Sequence, residues 1–181
     1  MCAFYGDPDI NRDGRAGAAW IRAKLVRVRP PYRMRWSWGG DVEYLTVHKA
    51  CAPSLLRILS RVAKVFGSQG AIEEAGMHLC GGAFDFRPER GGASLSAHAW
   101  GAAIDLDPEG NRIGRAWAPH RGMVHESVID AFEEEGWRWG GRWRRPDAMH
   151  FEAAYAPEDL APSKRAATRQ QADACREENV R

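Results

Sequence analysis

Two short segments concentrate the side chains that bind metals and move protons. Residues 94–108 read Ser-Leu-Ser-Ala-His-Ala-Trp-Gly-Ala-Ala-Ile-Asp-Leu-Asp-Pro, and residues 145–152 read Arg-Pro-Asp-Ala-Met-His-Phe-Glu. A catalytic zinc takes three protein ligands of the His and carboxylate kind and leaves a fourth position to water. Hydrolysis at such an ion also needs a base beside the water and a donor for the oxyanion that develops. His98, Asp105 and His150 can supply the ligands, and Asp147, three residues before His150, can sit beside the ion without ligating it. Arg87 and Arg90 lie just upstream and can provide a fixed cation. The same residues also have a plainer reading. A histidine among apolar neighbours is often just packed and hydrogen-bonded, and an aspartate before proline is a turn former. Spacing alone leaves both readings open.

Convergence of these side chains constrains the backbone. His98 and Asp105 are seven apart, so a flat strand would point them to opposite faces. A bend at Gly101 would bring them together. A helix would also put positions 98, 101 and 105 on one face, but Ile-Asp-Leu-Asp-Pro reads better as a strand running into a turn. Asp147 and His150 would likewise diverge on one strand, and Pro146 predicts a turn there with a strand from about Met149.

The surrounding elements follow from periodicity. The clearest helix runs from about Pro53 to Phe66, with Leu55, Leu56, Leu59, Val62, Val65 and Phe66 on one face and Arg57, Arg61 and Lys64 on a solvated one. Pro53 suits its first turn and Gly67 its C-terminal cap. A second helix is expected from about Arg121 to Glu135, its stripe Met123, Val124, Val128, Ile129 and Phe132, with Gly136 as its stop. The charge of Glu133, Glu134 and Glu135 at its end is solvated or paired. Strands are expected at 21–29, 42–48, 102–107, 137–143 and 148–153. Helices interspersed with short strands, without regular βαβ spacing, predict an α+β fold with a small antiparallel β-sheet and flanking helices.

The chain has 181 residues, 44% of them apolar and 28% charged, which suits one folded domain with short appendages. Residues 1–19 read as an irregular N-terminal arm, 20–156 as the folded domain and 157–181 as a charged tail. No apolar run approaches the ~18 residues of a membrane span. The net charge of +2 is too balanced for a nucleic-acid-binding face. The 22 Arg against four Lys are read as base composition of the coding sequence rather than a phosphate-binding design. The opening residues lack the basic start and apolar run of a secretory signal, so synthesis in the cytoplasm is expected. Cys2, Cys51, Cys80 and Cys175 are scattered with no CxxC pair, so metal chemistry falls to histidines and carboxylates. Asp9, Asn11 and Asp13 copy the first half of a calcium loop, but Trp20 stands at the twelfth position, where a bidentate Glu belongs. A polar turn is the better reading. Five of the eight Trp fall between positions 100 and 143, where core packing is the default and a ligand groove the alternative.

The first segment resembles the S-x-H-x-x-G-x-A-x-D-[LIF] signature of the zinc D-alanyl-D-alanine carboxypeptidase family. That family includes vancomycin-resistance peptidases and phage endolysins cutting the L-alanyl–D-glutamate bond, on a Hedgehog/DD-peptidase-like fold. Ser96, His98, Gly101, Ala103, Asp105 and Leu106 match the signature, and Asp147-Ala-Met-His150 matches the family's second motif. The likeness is strong from about Gly81 to Glu152, weaker but compatible from Ile21 to Gly67, and silent on 1–19 and 157–181.

The resemblance implies one Zn²⁺ per chain held by His98, Asp105 and His150, with Asp147 as the general base. It implies that Arg87, or failing that Arg90, binds a substrate carboxylate or the oxyanion, and that Ser96 positions the site or the substrate backbone. Asp107 and Asn111 would brace the loop or simply form a turn; His48, His78, His120 and His125 match no family ligand and read as structural or surface. The expected activity is hydrolysis of peptidoglycan stem peptides, as a phage-type endopeptidase that reaches the wall after release through a separately made pore. The alternatives are a D-Ala-D-Ala carboxypeptidase and a zinc-bound, non-catalytic binding module like the Hedgehog-type domains. A protein in which the histidines merely pack is the remaining reading.

Overall fold

Apolar residues spaced three and four apart dictate the longest helix. In the computed structural model, which describes residues 1–9, 11, 13–92, 94–119 and 122–153, Leu55, Ile58, Leu59 and Val62 are all buried on one face of a helix spanning Ala52–Phe66. Pro53 lies in its first turn, and Gly67 ends it in the left-handed conformation at φ 73°. Val65, assigned to the apolar face from sequence, is instead half exposed. The expected solvated face is exposed, and its two arginines also form ion pairs. Arg57 grips Glu135 through two hydrogen bonds of 2.7 and 3.0 Å, and Arg61 pairs with Glu134.

In chain order the elements are α1 (Cys2–Tyr5), α2 (Ala18–Lys24), β1 (Leu25–Val28), β2 (Arg35–Trp36), β3 (Leu45–His48) and α3 (Ala52–Phe66). They continue with α4 (Gln69–Glu74), β4 (Leu79–Gly82), β5 (Ala103–Leu106), α5 (Glu126–Glu134), β6 (Arg138–Trp139) and β7 (His150–Glu152). Single 3₁₀ turns occupy Ala97–Trp100 and Gly140–Arg142. β1 and β3 form an antiparallel pair, and the other five strands form a sheet in the order β2-β4-β5-β7-β6. That sheet is antiparallel except at its edge, where β2 runs parallel to β4. The fold is therefore α+β, with a small and mainly antiparallel sheet. α3 packs against α5 across the interior, and Val128, Ile129 and Phe132 of α5 join the same buried cluster.

Several boundaries differ from those read in the sequence, each for a local reason. The strand expected from position 21 begins at Leu25, because Ala18–Lys24 are mostly good helix formers and coil into α2. α5 begins at Glu126 rather than near Arg121, since His125 caps it: the His125 ring accepts the Ser127 N–H at 3.2 Å. The strand expected over 137–143 stops after two residues and turns into the 3₁₀ segment Gly140–Arg142. Strand β3 starts at Leu45, three residues later than expected. β2, α4 and β4 were not anticipated. The expected 157–181 tail and His120 lie outside the described residues.

The N-terminal segment is anchored. Tyr5 is buried, its hydroxyl donates to the Ala153 carbonyl at 2.8 Å, and its own carbonyl accepts the Trp20 indole N–H at 3.3 Å. In the loop that copies half a calcium site, the Asp9 and Asp13 carboxylates accept the N–H groups of Gly14 and Arg15, which is turn chemistry.

Candidate active site

Three ligand atoms meet because of one bend and one cross-strand pairing. Ser96 caps the 3₁₀ turn that carries His98, its hydroxyl accepting the His98 N–H at 3.4 Å. Gly101 then reverses the chain in the left-handed region, at φ 65°. A Cβ added there would stand 2.8 Å from the His48 backbone nitrogen, so both torsion and space demand glycine. After the bend, β5 presents Asp105 directly opposite His150 of β7 in the antiparallel register, so the two side chains leave the sheet on the same face. Of the two conformations the spacing left open, a bent turn-to-strand unit is adopted rather than a continuous helix. Gly101→Ala should destabilise the fold by about 2 kcal/mol or more, from the strained torsion and the backbone clash, which urea unfolding would measure.

The His98 Nε2, His150 Nδ1 and Asp105 Oδ1 atoms lie 2.9 to 3.2 Å from one another. Tetrahedral ligands at ~2.0–2.1 Å from zinc stand roughly 3.3 Å apart, so this spacing suits a common ion. The rings are oriented for it. His98 Nδ1–H donates to the Ala83 carbonyl at 2.6 Å, which leaves Nε2 as a lone pair, and His150 Nε2 faces the Glu152 carboxylate at 3.3 Å, which leaves Nδ1 inward. Burial disfavours charge on His150, yet its hydrogen bonds to Asp105 and Glu152 prevail and lift its pKa to about 9. Burial likewise works against Asp105, and the hydrogen bonds of His150 and His98 overcome it, holding that carboxyl below the usual carboxylate range.

Beside this cluster opens a cavity of about 210 Å³, whose lining includes Arg87, Arg90, Ser96, Arg145, Asp147 and Glu152. Asp147 reaches it from a turn closed by its N–H on the Gly140 carbonyl at 2.9 Å. A Cβ at Gly140 would lie 2.6 Å from the Asp147 carbonyl oxygen. The Asp147 Oδ1 atom is buried, and among the described residues it has no hydrogen-bond partner. Its pKa is raised, first by burial and then by the charge of Asp105, with His150 and Arg90 pulling the other way. A carboxylate so placed is ready to accept a proton.

Both arginines named from sequence reach the cavity, with different engagements. Arg87 is held by Asp85 through its Nε at 3.0 Å and by the Pro88 carbonyl, whereas no carboxylate pairs with Arg90 among the described residues. Asp107 and Asn111 stand apart from the cluster and brace the following loop: the Asp107 carboxylate accepts from Asn111 at 2.9 Å, and Asn111 accepts the Val124 N–H. His48 sits buried against Tyr5, and His125 is the α5 cap. Neither they nor His78 joins the metal-type cluster found among the described residues.

Glu152, Arg145 and Trp143 were not assigned roles from sequence. Trp143 also lines the cavity and lies 5.3 Å from the His150 ring, while Trp100, Trp137 and Trp139 pack into the core. Glu152 had a legible signal, since two residues along a strand is the same face. Its carboxyl is held below the usual range: burial opposes, but the His150 hydrogen bond and charge prevail. Glu152→Gln should weaken zinc binding by about tenfold to a hundredfold, read by competition with a chelator.

Two imidazoles and a carboxylate around one point could hold a metal ion, and Asp147, whose Oδ1 has no hydrogen-bond partner among the described residues, lines the adjoining cavity. Residues 90–153, which contain all four of these side chains, match the family model for D-alanyl-D-alanine carboxypeptidase, a family of zinc peptidases and the one that the two motifs resemble. No curated protein and no solved structure matches the chain.

Proposed function

We propose that the protein is a zinc peptidase that hydrolyses the peptide stems of bacterial peptidoglycan, as an L-alanyl–D-glutamate endopeptidase acting on the wall after release from the cell. The observation that carries this reading is the place of Asp147 in the lining of the cavity that Asp105 and His150 also line, with its Oδ1 buried and without a hydrogen-bond partner among the described residues. A binding module needs the metal cage alone; a hydrolase needs a base beside it.

Zinc held by His98, Asp105 and His150 would supply Lewis acidity toward the scissile carbonyl and acidify water to a pKa near ~7. Asp147 takes the proton of the attacking water on its carboxylate and later returns it to the leaving amine. Arg90, with no carboxylate partner among the described residues, is available to a substrate carboxylate or to the developing oxyanion, and Arg87 stands beside it, braced by Asp85. Ala83 and Glu152 keep the two rings in the tautomers that would present His98 Nε2 and His150 Nδ1 to the metal.

The close fit of Ser-Leu-Ser-Ala-His-Ala-Trp-Gly to the endolysin form of the first motif supports the endopeptidase. The description of the matched family supports its runner-up, a D-Ala-D-Ala carboxypeptidase. Mass spectrometry of muropeptides digested by the purified protein separates them. New N-terminal D-glutamate marks the endopeptidase, released D-alanine marks the carboxypeptidase, and an unchanged digest refutes both.

A further inference from the structure

One surface feature away from the catalytic cavity is held rigidly in place. Trp38 is 69% exposed, more than any other exposed large apolar side chain among the described residues, and its ring lies flat on Trp36, with centroids 5.0 Å apart and planes 11° from parallel. The backbone beneath is tied down. The Trp36 N–H donates to the Gly40 carbonyl and the Gly39 N–H to the Trp36 carbonyl, each at 2.9 Å. Arg35 and Asp41 close the turn as an antiparallel bridge, and the Ser37 N–H bonds the Cys80 carbonyl of β4. Gly39 and Gly40 take φ values of 109° and 86°, which side chains rarely adopt. The backbone that carries the stacked indoles is therefore braced before any ligand arrives, and a preorganised surface loses little freedom on binding.

Its chemistry selects a class of ligand. A broad aromatic face suits a flat apolar surface, and the C–H face of a pyranose ring is one, rimmed by hydroxyls that both donate and accept. At the base of the turn the Arg35 and Asp41 side chains, 60% and 91% exposed, stand 3.9 Å apart and offer a donor and an acceptor side by side. A nucleobase would also stack, but the paired Arg35 and Asp41 offer no net positive charge to a phosphate backbone. β2 is the outer strand of the sheet, and only β4 separates it from β5, which carries Asp105. Two strand spacings of ~4.8 Å place the turn roughly 10 Å from that strand.

We propose that Trp36 and Trp38, with Arg35 and Asp41, form a saccharide platform that holds the glycan strand while a stem peptide attached to it enters the catalytic cavity. This rests on peptidoglycan being the substrate. The test is a titration of the full chain with a β-1,4-linked N-acetylglucosamine oligosaccharide, followed by tryptophan fluorescence and by calorimetry. Saturable binding is expected, weakened about tenfold or more in Trp38→Ala and less in Trp38→Phe, which keeps a ring. Circular dichroism of the variants should match the parent, because Trp38 lies at the surface. Absence of saturable binding, equal binding by correctly folded Trp38→Ala, or saturable binding of a single-stranded oligonucleotide in place of the saccharide would overturn the platform. The titration breaks no bond. A protein that binds the saccharide but leaves stem peptides intact keeps the platform and overturns the peptidase reading; the opposite outcome overturns the platform alone.

Discussion

Asp147→Asn should lower kcat on stem peptides by about 10²- to 10⁴-fold while the protein still binds one zinc per chain. Asn keeps the shape of the side chain and its backbone hydrogen bond to Gly140, so the turn that carries it should persist. What it removes is the oxygen that takes a proton. The direction of the Asp147 pKa adds a second readout. Because burial and then the Asp105 charge raise it, the group is protonated at pH values where an exposed aspartate has already ionised. The rate of the parent enzyme should therefore fall as pH drops through that raised pKa, above the ordinary ~3.9 of aspartate, and recover as pH rises. In Asp147→Asn the residual rate should lose this acidic limb. Steady-state kinetics across pH, with metal analysis of the same samples, check both points. A variant that keeps parental turnover removes Asp147 from the role of base.

The candidate site was more legible in the sequence than the sheet that supports it. His98, Asp105, Asp147 and His150 stand out because they match the two motifs of the family the chain resembles, where spacing alone left a packed-histidine reading open, and Gly101 marks the bend that lets the first two meet. β4 had no such signal. Its sequence, Leu-Cys-Gly-Gly, is poor in β-formers, and the reason lies across the sheet: a Cβ at Gly81 would stand 3.0 Å from the Asp105 Cβ. The metal-type cluster thus requires a strand that propensity cannot reveal. The Ala83 carbonyl that orients His98 was equally invisible, because it is a backbone atom whose place is set by tertiary structure. The pairing of Asp105 with His150, 45 residues apart, followed only once β5 and β7 were adjacent. At the acidic end of α5 the sequence left solvation and pairing open. Glu133, Glu134 and Glu135 find Arg142, Arg61 and Arg57 respectively, so the α3 arginines answer charges that only the packing of the two helices brings near. Exposed pairs of this kind contribute about 0–1 kcal/mol each.

Removal of the metal should abolish peptide cleavage and lower the melting temperature together. The His98, His150 and Asp105 atoms that face one another lie 2.9 to 3.2 Å apart in a largely buried spot. A cation held there would satisfy all three at once and would bind only the folded chain, where turn and strands have assembled the ligands. At free zinc about a thousand times its dissociation constant, that linkage amounts to about 4 kcal/mol of stability. For a chain of this size, roughly 10 °C of melting temperature is expected from it. Treatment with a strong chelator followed by gel filtration should give folded, inactive protein with a lower transition. Titrating zinc back should restore activity and melting temperature in parallel, with a break near one equivalent. His150→Ala should mimic the stripped state and gain nothing from added zinc, because Asp105 then loses its cross-strand partner as well as one ligand. Stripped protein that still cleaves stem peptides would refute the metal-dependent mechanism, and a break at two equivalents would refute the single site.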